Sequence, residues 1–347
     1  MKRIASSDLD HILDCTEAYW RELSQGRIFL TGCTGFFGIW ILESFIAAER
    51  RFGVSFDLTL LTRNQDAFLK GHPQFSGRSG FCFVRGDITS FCFPEGGFSH
   101  VIHGATTRDR ETFNNEPPLG KFQTVAMGTR RVLDFCVEKK VDSMIYLGSG
   151  AAYGKQAEGV PLMMEDSFVA PDTMNPDLAL GHSKRVAEFF CAAYSKQHAL
   201  KVKMTRCFSF LGPHLPLDIH YAIGNFIRDG LEDRAIKIKG DGLPVRSYLY
   251  MSDLVIWLLT ILFKGESQRI YNVGSEDARS IAELAEVVGR CFDPEIPVER
   301  PAVQQSAPAT ASPDIYLPST LRARTELGLE QTVLLEDGIR KTIEFYR

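Results

Sequence analysis

The chain has 347 residues, of which 44% are hydrophobic and 24% charged, and its formal net charge is −4. That length suits about two domains with a core that needs no covalent staples. The slightly acidic balance excludes a global basic field of the kind that recruits nucleic acid or anionic membrane.

The segment SSDLDHILDCTEAYWREL (6–23) places Leu9, Ile12, Leu13 and Leu23 at helical spacing. Its acids rule out the apolar core of a secretion signal, so a helical extension over 1–26 and a cytoplasmic setting are expected. The next two hundred residues alternate strand and helix. RIFLTG (27–32), LTLLTR (58–63), FCFVRGD (81–87), HVIHGA (100–105), SMIYLGS (143–149) and VKMTRCFSF (202–210) read as strands. Phe37 to Arg50, Thr124 to Lys139 and Ser183 to His198 read as helices. Continuous apolar strands separated by helices predict an α/β fold, a doubly wound parallel sheet of Rossmann type over 27–210. Beyond residue 210 the rhythm breaks. RIYNVG (269–274) returns to the sheet, while 211–268 and 275–347 form a smaller substrate-binding lobe. There, helices are predicted over 223–232, 280–291, 319–327 and 334–346, with Ser280 as an N-cap. PAVQQSAPATASPD (301–314) reads as a loop. The apolar run Leu254 to Phe263 is about ten residues, too short to span a membrane.

Eight cysteines (Cys15, Cys33, Cys82, Cys92, Cys136, Cys191, Cys207 and Cys291) contain no CxxC pair and no zinc spacing. Buried, inert thiols, a reducing compartment and no metal are therefore expected, with His214 and His220 as loop histidines.

The most informative segment is TGCTGFFG, Thr31 to Gly38, between the first strand and the first helix. Glycines at 32, 35 and 38 permit a tight turn and close backbone approach to a pyrophosphate, and the helix N-terminus behind them favours anions. A dinucleotide is expected there, over Gly32, Thr34, Gly35, Phe36, Phe37 and Gly38. The second strand ends in Arg63, not in the carboxylate that would accept from a ribose 2′-hydroxyl. A guanidinium suits a 2′-phosphate, so NADP is favoured over NAD.

The GxxGxxG spacing, VRGDI (84–88), HGA (103–105), LGSGAAYG (147–154), GHSKRVAE (181–188), GDGLPVRSYLYMSDL (240–254) and YNVGS (271–275) together resemble the extended short-chain dehydrogenase/reductase family, in its nucleotide-sugar epimerase/dehydratase branch. The resemblance implies that Asp87 and Ile88 flank the adenine, that Ala105 lies beside the cofactor, and that Ser149 and Lys184 are catalytic, Lys184 also holding the nicotinamide ribose. It further implies substrate contacts from Ser149, Tyr153, Asn225 and Arg246, a backbone near Lys237 to Lys239 that brackets the nucleobase, and a homodimer as one assembly. Alternating lysines are equally the mark of a solvated strand face.

In that family a tyrosine four residues before the lysine exchanges the hydroxyl proton. Here that position is Leu180, with no tyrosine between residues 155 and 193. His182 lies about 200° around a helix from Leu180 and does not replace it. Three readings stay open: Lys184 is itself the base, Glu165 or Asp166 enters from another loop, or the protein is a non-catalytic dinucleotide-binding or sensor subunit. The family's dehydratases carry an Asp-Glu pair beside the catalytic hydroxyl, where this chain has Gly150 and Ala151. That favours epimerisation or related keto-sugar redox chemistry on a nucleotide-diphosphate sugar, with dehydration or decarboxylation as the alternative.

Overall fold

The computed structural model describes residues 2–107, 116–219, 221–300 and 314–347. His220, and the Ala/Ser/Pro-rich segment up to residue 313, lie outside the described residues.

Six strands follow the predicted alternation: β1 (Arg27–Thr31), β2 (Asp57–Thr62), β3 (Phe81–Arg85), β4 (His100–His103), β5 (Ser143–Ser149) and β6 (Lys201–Cys207). Short strands follow: β7 (Phe210–Leu211), β8 (Ile236–Lys237), β9 (Val245–Arg246), β10 (Leu249–Tyr250), β11 (Ile270–Val273), β12 (Arg279–Ser280), β13 (Val298–Glu299) and β14 (Ile315–Tyr316). The helices are α1 (Ser6–Leu23), α2 (Phe36–Phe52), α3 (Gln65–Gly71), α4 (Pro118–Phe122), α5 (Gly128–Glu138), α6 (Ala179–His198), α7 (Ala222–Leu231), α8 (Met251–Lys264), α9 (Ile281–Arg290), α10 (Leu321–Leu327) and α11 (Leu335–Tyr346). A π-helical turn, Gln123–Met127, joins α4 to α5.

The main sheet has seven strands in the order β3-β2-β1-β4-β5-β6-β11, all pairs parallel. β1 pairs with both β2 and β4, so the winding direction reverses there and a crevice opens at the carboxyl ends of β1 and β4. Strand side chains alternate between two apolar layers. Ile28 and Leu30 enter one layer with α2 and α8, and Phe29, Val101 and Met144 enter the other with α5 and α6.

α8 explains the apolar run at 254–263: it is buried along almost its whole length, packed on α1 and α2. Among the described residues, no helix is long and apolar enough to cross a membrane. α1 is tied down through Asp8, which accepts from Tyr250 Oη at 2.7 Å and from Lys341 Nζ at 2.5 Å. Ser280 caps α9 with a reciprocal Glu283 contact, as its position predicts. The thiols depart from expectation. Cys33, Cys136, Cys191 and Cys207 are buried, but Cys15, Cys82 and Cys92 are exposed, because an apolar stretch on an outer strand or helix still has a solvent face. Lys237 and Lys239 are exposed on either side of buried Ile238, which is the solvated-face pattern.

Candidate active site

One cleft of about 1340 Å³ runs from the β1–α2 turn across the ends of β4 and β5 to β9 and β14. Its first section is backbone. Gly32 has φ +76°, and a Cβ there would lie 2.5 Å from the carbonyl of Gly104. A Cβ on Gly38 would meet the backbone of Cys33 at 2.4 Å. These two glycines let the turn close on β4 and on itself. Gly35 is different: its nearest neighbour would be Gly32 O at 3.5 Å, ordinary contact distance. No side chain caps α2, so its leading amides face the cleft behind Gly35. Thr34, Gly35, Phe36 and Phe37 line the cleft. An uncapped helix start behind a side-chain-free turn fits a pyrophosphate.

Arg63, Asp87, Ile88 and Ala105 continue the lining. Burial works to raise the Asp87 carboxyl, but hydrogen bonds from Thr89 and the charge of Arg63 outweigh it and hold the group below its ordinary value. Thr89 donates through its amide at 3.0 Å and its hydroxyl at 2.6 Å. Arg63 and Asp87 thus stand near one another at the ends of β2 and β3. Below them His103 sits between Thr31 Oγ1 at 2.7 Å and Thr129 Oγ1 at 3.0 Å. Burial pushes His103 down to about 3, so it is a neutral part of the scaffold.

Ser149 and Lys184 both line the cleft. Ser149 ends β5 and accepts from the Ala151 amide at 3.1 Å. Lys184, on the second turn of α6, is buried, with Nζ donating to Leu147 O at 3.0 Å. Burial lowers the amine to about 8, although Cys207 and Glu188 act the other way. Leu180, one turn earlier, lines the same cleft. α6 packs closely on the 150–153 turn: a Cβ on Gly181 would be 2.5 Å from Ala151 O.

Other predicted residues are placed elsewhere. Tyr153 is fully buried and absent from the cleft lining; its hydroxyl donates to Asn272 Oδ1 at 2.8 Å and Arg206 covers its ring. In this structure it packs between Arg206 and Asn272 and does not line the cleft. Asn225 lies inside α7 and also stays off the cleft lining. Glu165 does not enter the site either: its carboxylate accepts from the Asn272 amide at 2.9 Å, clamping β11. Asp166 is exposed and pairs with Arg322 at 2.5 Å.

Arg246 does line the cleft, from β9. It donates to Asp314 Oδ2 at 2.6 Å and to Asp314 O at 2.8 Å. β9 pairs with β14, which brings Tyr316 opposite Arg246. Sequence reading did not single out Asp314 or Tyr316, and took His214 only as a loop histidine; all three line the cleft. His214 is half-buried against Phe345, and that burial takes it down to about 4. A tyrosine two residues after an aspartate, at the end of a two-residue strand, carries no periodicity that reading could use. Among the described residues, no cluster of His, Cys, Asp or Glu is arranged to hold a metal ion.

A model of the NAD dependent epimerase/dehydratase family matches residues 28–274. The chain is 27% identical over 329 residues to UDP-glucuronic acid decarboxylase 6 of Arabidopsis thaliana, covering 93% of this chain and 90% of that one. It is 26% identical over 331 residues to the dTDP-D-glucose 4,6-dehydratase of Mus musculus, covering 92% and 88%. Its backbone also matches UDP-glucuronic acid 4-epimerase from Bacillus cereus, solved with UDP-glucuronic acid and NAD. There the TM-score is 0.73, with 21% identity over 92% of this chain and 98% of that one, a likeness of fold.

Proposed function

The chain belongs to the NAD dependent epimerase/dehydratase family, a family of enzymes, and we propose that it modifies a nucleotide-diphosphate sugar by keto-sugar redox chemistry, with epimerisation the favoured outcome. The observation that carries this reading is the single cleft shared by the glycine turn, Ser149, Lys184 and Arg246. Gly32 to Gly38, Arg63, Asp87, Ile88, Ala105 and Lys184 hold the dinucleotide, which supplies a hydride acceptor and donor when bound. Arg246 serves the substrate diphosphate, exchanging its Asp314 partner for phosphate oxygens. Ser149 hydrogen-bonds the sugar oxygen. With leucine at 180, Lys184 takes the hydroxyl proton in its neutral form, which desolvation makes available near pH 8. Decarboxylation is the second reading, because the Arabidopsis relative carries that name. Gly150 and Ala151 after Ser149 count against dehydration. Arg63 favours NADP(H) over NAD(H). A cytoplasmic setting fits the free thiols, and a homodimer fits the apolar surface at Phe168 and Phe189, which are 99% and 67% exposed.

The test is conversion of UDP-glucuronic acid, UDP-glucose and dTDP-glucose by the dinucleotide-loaded protein, with products identified by NMR. Lys184→Met is expected to cut turnover by about 10²–10⁴-fold, the span of a general base, while sugar-nucleotide binding persists. In the wild type the rate should rise with pH up to about 8 and then level off, because only the neutral amine accepts a proton. A wild type that binds these sugars and converts none of them would return the protein to the non-catalytic binding reading.

A further inference from the structure

Position 180 carries no phenol, yet a phenol reaches the cleft from a different part of the chain. Tyr316 sits on β14, far in sequence from α6, and β14 is held against β9 by the Ile315↔Val245 and Tyr316↔Arg246 register. Its ring is fixed against Phe208, centroids 4.7 Å apart, and the Arg246 guanidinium lies 5.9 Å from the ring centre. Its hydroxyl points at the residue next to Ser149: a Cβ on Gly150 would stand 2.4 Å from Tyr316 Oη. The glycine at 150, where the family's dehydratases carry an acid, is therefore the space that admits this hydroxyl.

We propose that Tyr316 is a catalytic residue whose hydroxyl, brought in from β14, joins Ser149 in donating hydrogen bonds to the sugar oxygen that is oxidised and reduced. The inference rests on the keto-sugar reading given above. Burial raises the Tyr316 phenol above its ordinary value, although the neighbouring Ser149 hydroxyl acts the other way. A phenol held neutral is a poor base and a durable donor. The division of labour follows. The substrate O–H bond breaks with its proton going to the Lys184 amine, and its electron pair forms the second C–O bond. The hydrogen on the same carbon would leave with its pair as hydride, which an oxidised nicotinamide dinucleotide held by Gly32 to Gly38 and Lys184 would accept when bound. Tyr316 keeps its proton throughout and stabilises the negative charge that develops on the oxygen, which preorganised donors do most effectively in a dry site.

The test uses the full chain with Tyr316→Phe, which keeps the ring on Phe208 and removes only the hydroxyl. In dinucleotide-free protein, affinity for UDP-glucuronic acid and dTDP-glucose should fall about threefold to tenfold, the effect of one hydrogen bond. Affinity for bare UDP and dTDP should not change. In the loaded enzyme kcat should fall about 10²–10³-fold, as for loss of one such donor. The rising pH limb near 8 should stay in place, because it belongs to Lys184. Adding Leu180→Tyr to the Tyr316→Phe protein should restore at least tenfold of the loss by returning a phenol from α6. The inference is overturned by a kcat within threefold of wild type. It is equally overturned by parallel losses for sugar nucleotides and bare nucleotides, which would make Tyr316 a diphosphate contact. Where wild type converts no sugar, the keto-sugar reading fails on its own, and the binding comparison still decides whether Tyr316 meets the sugar.

Discussion

The two ends of the cleft are built from different materials. At the end proposed for the dinucleotide the surface is backbone, a glycine turn closed on β4 and an uncapped helix start, all carried by strands of four to seven residues in one sheet. At the end proposed for the sugar the surface is side chains, Arg246, Asp314 and Tyr316, on or just before strands of two residues that pair across long sequence separations. A backbone surface tolerates little change in shape but recognises only what is common to its ligands, phosphates and helix-facing anions. A side-chain surface on short strands can exchange residues without disturbing the sheet. This chain shows such an exchange if Tyr316 supplies the hydroxyl that α6 lacks.

The comparison breaks most sharply in the glycine turn. Gly35→Asp has room for its Cβ, so the fold should keep its thermal midpoint while dinucleotide affinity falls by more than about a hundredfold, from charge and steric conflict with the phosphates. Gly38→Ala has no such room and should lower the thermal midpoint first. Calorimetry of both variants, with and without dinucleotide, separates the two. Normal affinity in Gly35→Asp would remove the phosphate from this turn.

A second test contrasts the ion pairs of the two regions. In the sheet half, Arg206 grips Glu188 bidentately at 2.8 and 2.7 Å, with side chains 6% and 9% exposed. Glu188→Ala leaves that guanidinium buried without its partner and should destabilise the fold by about 3–5 kcal/mol in denaturant titration. Arg246 and Asp314 are 25% and 53% exposed, so Asp314→Ala should change stability by less than about 1 kcal/mol. Equal losses in the two variants would mean that the sugar end is as rigid as the sheet.

The smallest predicted change sharpens cofactor choice. Arg63→Ala should weaken NADP(H) about tenfold and NAD(H) by less than about threefold, since only the former offers a 2′-phosphate to the guanidinium. Fluorescence titration of both cofactors reads the ratio. A strong NAD(H) preference that survives the substitution would show that Arg63 serves Asp87 and not the ligand.

Much of this was legible in the order of residues. A parallel sheet buried on both faces needs continuous apolar strands, and six of them stand in the sequence within a few residues of their observed bounds. The glycine turn is legible for a similar local reason, because a positive φ at Gly32 and the missing Cβ at Gly38 are demands that only glycine meets. Ser149 and Lys184 could be named as candidates because each sits at a fixed offset within one strand or one helix. The absence of a phenol at 180 was equally plain. What only the tertiary structure decided was which groups face the cleft. Tyr153 and Glu165 are near Ser149 and Lys184 in sequence, yet β11 draws both inward, to Asn272. Tyr316 lies 167 residues beyond Ser149 and is brought beside it by a two-residue strand pair. Local sequence determines backbone conformation through propensity and sterics, whereas the direction of a single side chain on a short strand depends on the register it finds with distant partners.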